Sequence, residues 1–94
     1  ATTMRSLRML SLFDVEFQCS KSGCSPFRTI LVPNIRRCQL LCMNQDQCRT
    51  VNYRRNTNMC ELFAEELDID GTTVTSINTV TLRVIAGTRI PNGQ

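Results

Sequence analysis

The chain has 94 residues and a mass of 10.7 kDa, enough for one domain around a single core, so a multidomain enzyme is excluded as far as this stretch goes. Its residues are 41% hydrophobic but only 5% aromatic, with no tryptophan and six cysteines, the composition of a small domain that supplements apolar burial with covalent staples. A net charge of +3 is too mild to name a partner, although the charges are unevenly distributed.

Leu10 to Gln18 sets Phe13, Val15 and Phe17 at alternate positions with Asp14 and Glu16 between them, the period of a strand with one buried face. From Cys19 to Pro26 the only apolar residues are the two cysteines, and Gly23 and Pro26 break regular structure, so this run is a loop. Ile30 to Val32 is a short strand, its end biased to extended geometry by Pro33. Asn34 is then a helix N-cap, with Ile35, Cys38, Leu41 and Cys42 on one face and Arg36, Arg37 and Gln39 elsewhere on the wheel. The helix is expected to end near Asn44 or Gln45, where asparagine suits a left-handed cap. Thr50 to Arg54 and Met59 to Ala64 read as a hairpin around Arg55 to Asn58, with Val51 and Tyr53 sharing a face with Cys60 and Leu62. Asp68 to Gly71 is an acidic turn, after which Val80, Leu82 and Val84 alternate with Thr81 and Arg83 in a closing strand. Residues 1–9 form an N-terminal extension and residues 88–94 a tail or linker, flanking a domain over residues 10–87. No stretch approaches the roughly 20 apolar residues of a membrane span, and Arg5 and Arg8 interrupt the first apolar segment, which suits no signal peptide. The expectation is a mature, soluble chain without membrane insertion, and without an Asn-x-Ser/Thr glycosylation site.

The cysteines fall as Cys19-x4-Cys24, then Cys38-x3-Cys42-x5-Cys48-x11-Cys60. There is no histidine and no C-x2-C knuckle, which argues against a structural zinc centre, so no metal or cofactor is expected and three disulfides are. Cys38 and Cys42 share a helix face. Short-range geometry favours Cys42 with Cys48 at the helix end, leaving Cys38 to clamp the helix onto the strand at Cys60. Cys19 and Cys24 most simply bridge each other, with pairing to another chain as the alternative. Three bridges imply an oxidising compartment, hence a secreted, extracellular or cell-surface protein.

Cys38-Gln-Leu-Leu-Cys42, Cys48, Val51-Asn-Tyr53 and Cys60-Glu-Leu62 together resemble the PAN/apple family, with its Cys-x3-Cys helix, third cysteine, aromatic strand and Cys-x-Leu. The resemblance implies a small α+β fold, one helix packed on a curved antiparallel sheet, and the same Cys38–Cys60 and Cys42–Cys48 pairing. Two features depart from it. Many apple modules tie their first cysteine to a last one near the C-terminus, but no cysteine follows Cys60, and Val51 stands where an aromatic residue is frequent.

Catalysis is not expected: histidine is absent, the thiols are oxidised, and Glu65, Glu66, Asp68 and Asp70 crowd a polar segment with no evident pocket. Asp68, Asp70 and Thr72 lack the ligand periodicity of a calcium loop and read as a solvated connector. The resemblance implies a recognition module for extracellular protein or carbohydrate ligands, often part of a larger secreted or surface protein. Six arginines, Arg28, Arg36, Arg37, Arg49, Arg54 and Arg55, are the candidate ligand-binding residues, because guanidinium forks take sulfate or carboxylate bidentately. A sulfated, heparin-like glycan is the ligand they suit if they share one surface; otherwise they are ordinary solvated charge. Nucleic acid is discounted, since the disulfides put the chain outside the cell and stacking aromatics are nearly absent. The alternatives are a secreted protease inhibitor presenting Lys21 or the Arg54-Arg55 turn to a trypsin-like cleft, and a structural module of a larger matrix protein.

Overall fold

The computed structural model describes residues 9–20 and 23–85. Within them the order is β1 (Met9–Cys19), β2 (Arg28–Leu31), α1 (Ile35–Met43), β3 (Thr50–Arg54), β4 (Met59–Phe63), α2 (Leu67–Asp70) and β5 (Gly71–Val84). The expected N-terminal extension, apart from Met9, and the tail at residues 88–94 lie outside the described residues, as does Lys21.

All five strands form one antiparallel sheet in the order β1-β5-β3-β4-β2. Strand alternation divides the interior into two cores, one on each face. On the first face Val51, Tyr53, Cys60, Leu62, Val80 and Leu82 pack with Val32 and with Cys38, Cys42 and Cys48 of α1 and the turn after it. Asn34 starts α1 by accepting the Arg37 amide on its side chain at 3.0 Å, and Cys38 and Cys42 become fully buried one turn apart. At the other end Asn44 sits at φ −85°, in the right-handed region, so the left-handed cap expected there is not formed. The Cys42–Cys48 disulfide and the Gln45 amide donating to the Cys42 carbonyl turn the chain instead.

The second face is covered by the sheet's own margin. β1 and β5 pair from Met9↔Val84 to Phe13↔Val80, the register then slips, and pairing resumes from Val15↔Thr75 to Cys19↔Gly71. Asp14 and Asn78 take φ of 59° and 67° at the break, a left-handed geometry that Asp and Asn tolerate better than other side chains. Beyond it the ribbon crosses behind β3, where Phe17, Phe63 and Leu67 form the second core. The Phe17 and Phe63 rings meet edge to face at 5.1 Å. The break also overturns an expectation: Phe13 does not share the buried face of Phe17, being 63% exposed against 2%, because a bulge resets the alternation.

A second correction concerns β5, which begins at Gly71 rather than near Val80. The threonine-rich segment is strand from its start, and the acidic turn before it is a single turn of helix whose Asp70 carboxylate accepts the Glu66 amide at 2.8 Å. Gly71 is required at this junction because a Cβ there would collide with the Gln18 carbonyl and the Phe17 ring.

Candidate recognition surface

The three disulfides are Cys38–Cys60, Cys42–Cys48 and Cys19–Cys24, with Cα separations of 5.5, 5.3 and 6.0 Å. The first ties the middle of α1 to β4, and the second ties the end of α1 to the turn that leads into β3. The third closes the loop leaving β1. Among the described cysteines none is free.

This frame sorts the six arginines into two groups. The Val32 amide donates to the Asn58 carbonyl at 2.8 Å, and the Tyr53 hydroxyl hydrogen-bonds to Asn58 Oδ1 at 3.2 Å. These contacts stitch the β3–β4 turn to the chain just before α1, so Arg36 and Arg37 in the first helical turn share one end of the domain with Arg54 and Arg55. Arg28 is opposite Leu62, and the Arg49 amide donates to the Phe63 carbonyl, which puts both at the far end of β4, about 13 Å away at a strand's rise per residue.

Their side chains differ further. Arg54 projects to the second face and lies between two carboxylates, 3.1 Å from Glu16 and 3.1 Å from Glu61. Arg55 stands 3.9 Å from Asp14, both about half exposed. Arg49 folds back to donate to the Asp46 and Cys48 carbonyls. Arg28, Arg36 and Arg37 are exposed, and their guanidinium groups make no ion pair or hydrogen bond among the described residues. The carboxylates that meet Arg54 escaped sequence reasoning. Glu16 is 38 residues away in sequence and meets Arg54 only because the β1–β5 ribbon folds across the sheet.

The Arg54 guanidinium, through its hydrogen bonds, holds the Glu16 carboxyl below the ordinary carboxylate range; partial burial opposes this and the Ser76 hydroxyl reinforces it. The same pair raises Arg54. A carboxyl depressed in the folded state adds stability above its unfolded pKa and loses it as pH falls through the folded one. Wild type should therefore exceed Glu16→Gln in urea midpoint at neutral pH, with the two curves converging through the acid range. Arg54 is 28% and Glu16 23% exposed, so the gap is expected to be about 1 kcal/mol or less. A gap that stays constant into strong acid would mean that the ion pair is not its source.

A helix stapled to a five-stranded antiparallel sheet by nested disulfides defines a small disulfide-bonded α+β domain. Residues 16–83 match the PAN domain, and the chain belongs to that family. PAN domains are non-catalytic modules that bind proteins or carbohydrates in extracellular proteins. No curated protein sequence matches the chain. Among the described residues, no helix is long and apolar enough to cross a membrane.

Proposed function

We propose that this chain is an extracellular recognition module, carried within a larger secreted or surface protein, whose contact surface for an anionic, sulfated glycan is the end of the domain bearing Arg36, Arg37 and Arg55. Arg36 and Arg37 carry this assignment: two adjacent exposed guanidinium groups with no carboxylate partner among the described residues keep their donors available for sulfate or carboxylate oxygens. Arg55 adds a third, because its contact with Asp14 is long and solvated and costs little to exchange. Arg54 serves instead to position the turn, since Glu16 and Glu61 occupy its donors. Arg28 and Arg49 belong to the other end and are not part of the surface.

Retention on immobilised heparin across a salt gradient tests this reading. Arg36→Ser and Arg37→Ser should each lower affinity about tenfold, the loss expected for a charge-assisted hydrogen bond. Arg28→Ser, which removes the same charge, should shift retention far less. Equal shifts in all three variants would reduce the binding to net charge and turn the search towards protein ligands.

A further inference from the structure

The two buried disulfides and the Cys19–Cys24 bridge differ in surroundings. Cys38, Cys42, Cys48 and Cys60 are fully buried, whereas Cys19 and Cys24 are only partly so and border the second core. Their neighbour is Glu65, and one carboxylate oxygen of Glu65 and the two sulfurs all lie within 4.8 Å of one another. Glu65 Oε1 is buried and makes no hydrogen bond with any described residue. An acceptor withdrawn from water without a donor is costly, and nothing in the oxidised bridge repays that cost.

We infer that Cys19, Cys24 and Glu65 form a redox-gated site for a thiophilic divalent cation such as Zn²⁺, closed while the bridge is oxidised and opened by a dithiol reductant. In the opening step a reagent thiolate attacks one sulfur and forms a mixed disulfide. The second reagent thiol displaces it, so two electrons and two protons reach Cys19 and Cys24 while the reagent leaves as a cyclic disulfide. The cation then replaces the two thiol protons and is held by two thiolates and the Glu65 carboxylate, leaving a fourth position for water.

Three features favour this site. The spacing Cys19-x4-Cys24 falls within the range of zinc-binding cysteine pairs, and two sulfurs with one carboxylate oxygen suit a tetrahedral ion. Reagents reach this bridge first, because the other sulfurs are sealed in the first core. The ligand-bearing segments are also anchored without the bridge. Cys19 pairs with Gly71, the Ser20 amide donates to the Asp70 carbonyl at 2.7 Å, Phe27 donates to Leu62 at 2.9 Å, and the Thr50 hydroxyl donates to the Glu65 carbonyl at 2.7 Å.

The test is limited reduction with a dithiol, removal of the reagent under argon, and titration with Co²⁺ as the spectroscopic probe. Alkylation mapping should find free thiols at Cys19 and Cys24 alone. One Co²⁺ per chain should then bind with sulfur-to-cobalt charge transfer and tetrahedral ligand-field bands. Glu65→Ala and the near-isosteric Glu65→Gln should each weaken binding at least tenfold, and Cys19→Ser/Cys24→Ser should abolish the charge-transfer band. Far-ultraviolet circular dichroism of each variant verifies that it remains folded. Simultaneous opening of the buried bridges, Co²⁺ binding without thiolate absorption, or affinity unchanged in both folded Glu65 variants would each overturn the proposal.

Discussion

Asn52→Ala is expected to lose about 3–5 kcal/mol of folding stability, the largest effect of any single substitution of a non-cysteine residue considered for this domain. Asn52 is 1% exposed and sits between Val51 and Tyr53 with its side chain on the second face. Its Oδ1 accepts from the Phe17 amide at 2.9 Å and from the Thr81 hydroxyl at 2.9 Å, while its Nδ2 donates to the Phe17 carbonyl at 3.1 Å. Phe17 pairs with Thr73 of β5 on one side, and the Asn52 amide takes the place of a strand on the open edge of β1, joining the folded-over ribbon to the sheet behind it. Alanine would leave the Phe17 amide and carbonyl without these partners and remove the volume that separates the two layers. Each buried polar group left unpaired costs about 1–3 kcal/mol, and a domain of this size has only about 5–15 kcal/mol in total. Thr81→Val should cost less, about 1–2 kcal/mol, since the Phe17 bonds survive it. Urea unfolding with both the midpoint and the slope checks the pair. If Asn52→Ala proves no worse than Thr81→Val, the side-chain amide is not what holds the ribbon.

The second large effect is expected at the Cys38–Cys60 bridge. Its cysteines are 22 residues apart, against 5 for Cys19–Cys24. By loop-closure entropy the longer bridge contributes about 3.4 kcal/mol and the shorter about 2.2. Burial widens the difference. Cys38 and Cys60 are fully buried between α1 and β4, so Cys38→Ala/Cys60→Ala also loses packing where the helix meets the sheet, and the total should reach about 4–5 kcal/mol. Cys19→Ala/Cys24→Ala should leave a folded domain with a modestly lower melting temperature. Calorimetry of the two double variants in parallel decides the point: equal destabilisation would show that loop size and burial do not govern these bridges.

Local pattern was sufficient for much of this protein. The helical spacing of Ile35, Cys38, Leu41 and Cys42 after the Asn34 cap, and the strand alternation of Val51 and Tyr53 against Cys60 and Leu62, both lie within one element or one hairpin. The forces that build them act over the same few residues. The cysteine spacing was legible for the same reason, because a helix turn and a hairpin strand fix where the thiols point.

Only tertiary structure decided the rest. Phe13 and Phe17 look equivalent in an alternating strand, yet a register break at Asp14 turns one outward and seals the other. Asn52 reads as a polar interruption in a strand until the far half of β1 arrives behind it. Arg54 ends β3 and Arg55 begins the turn after it, but Glu16 and Glu61 engage the first, whereas the second makes a long, solvated contact with Asp14. In each case the deciding partner lies on another segment of chain, and no local periodicity encodes a contact made by folding one ribbon across a sheet. Sequence by itself determined the module and its staples; which arginines keep free donors depended on that crossing, because a guanidinium's availability is set by the carboxylates that folding brings beside it.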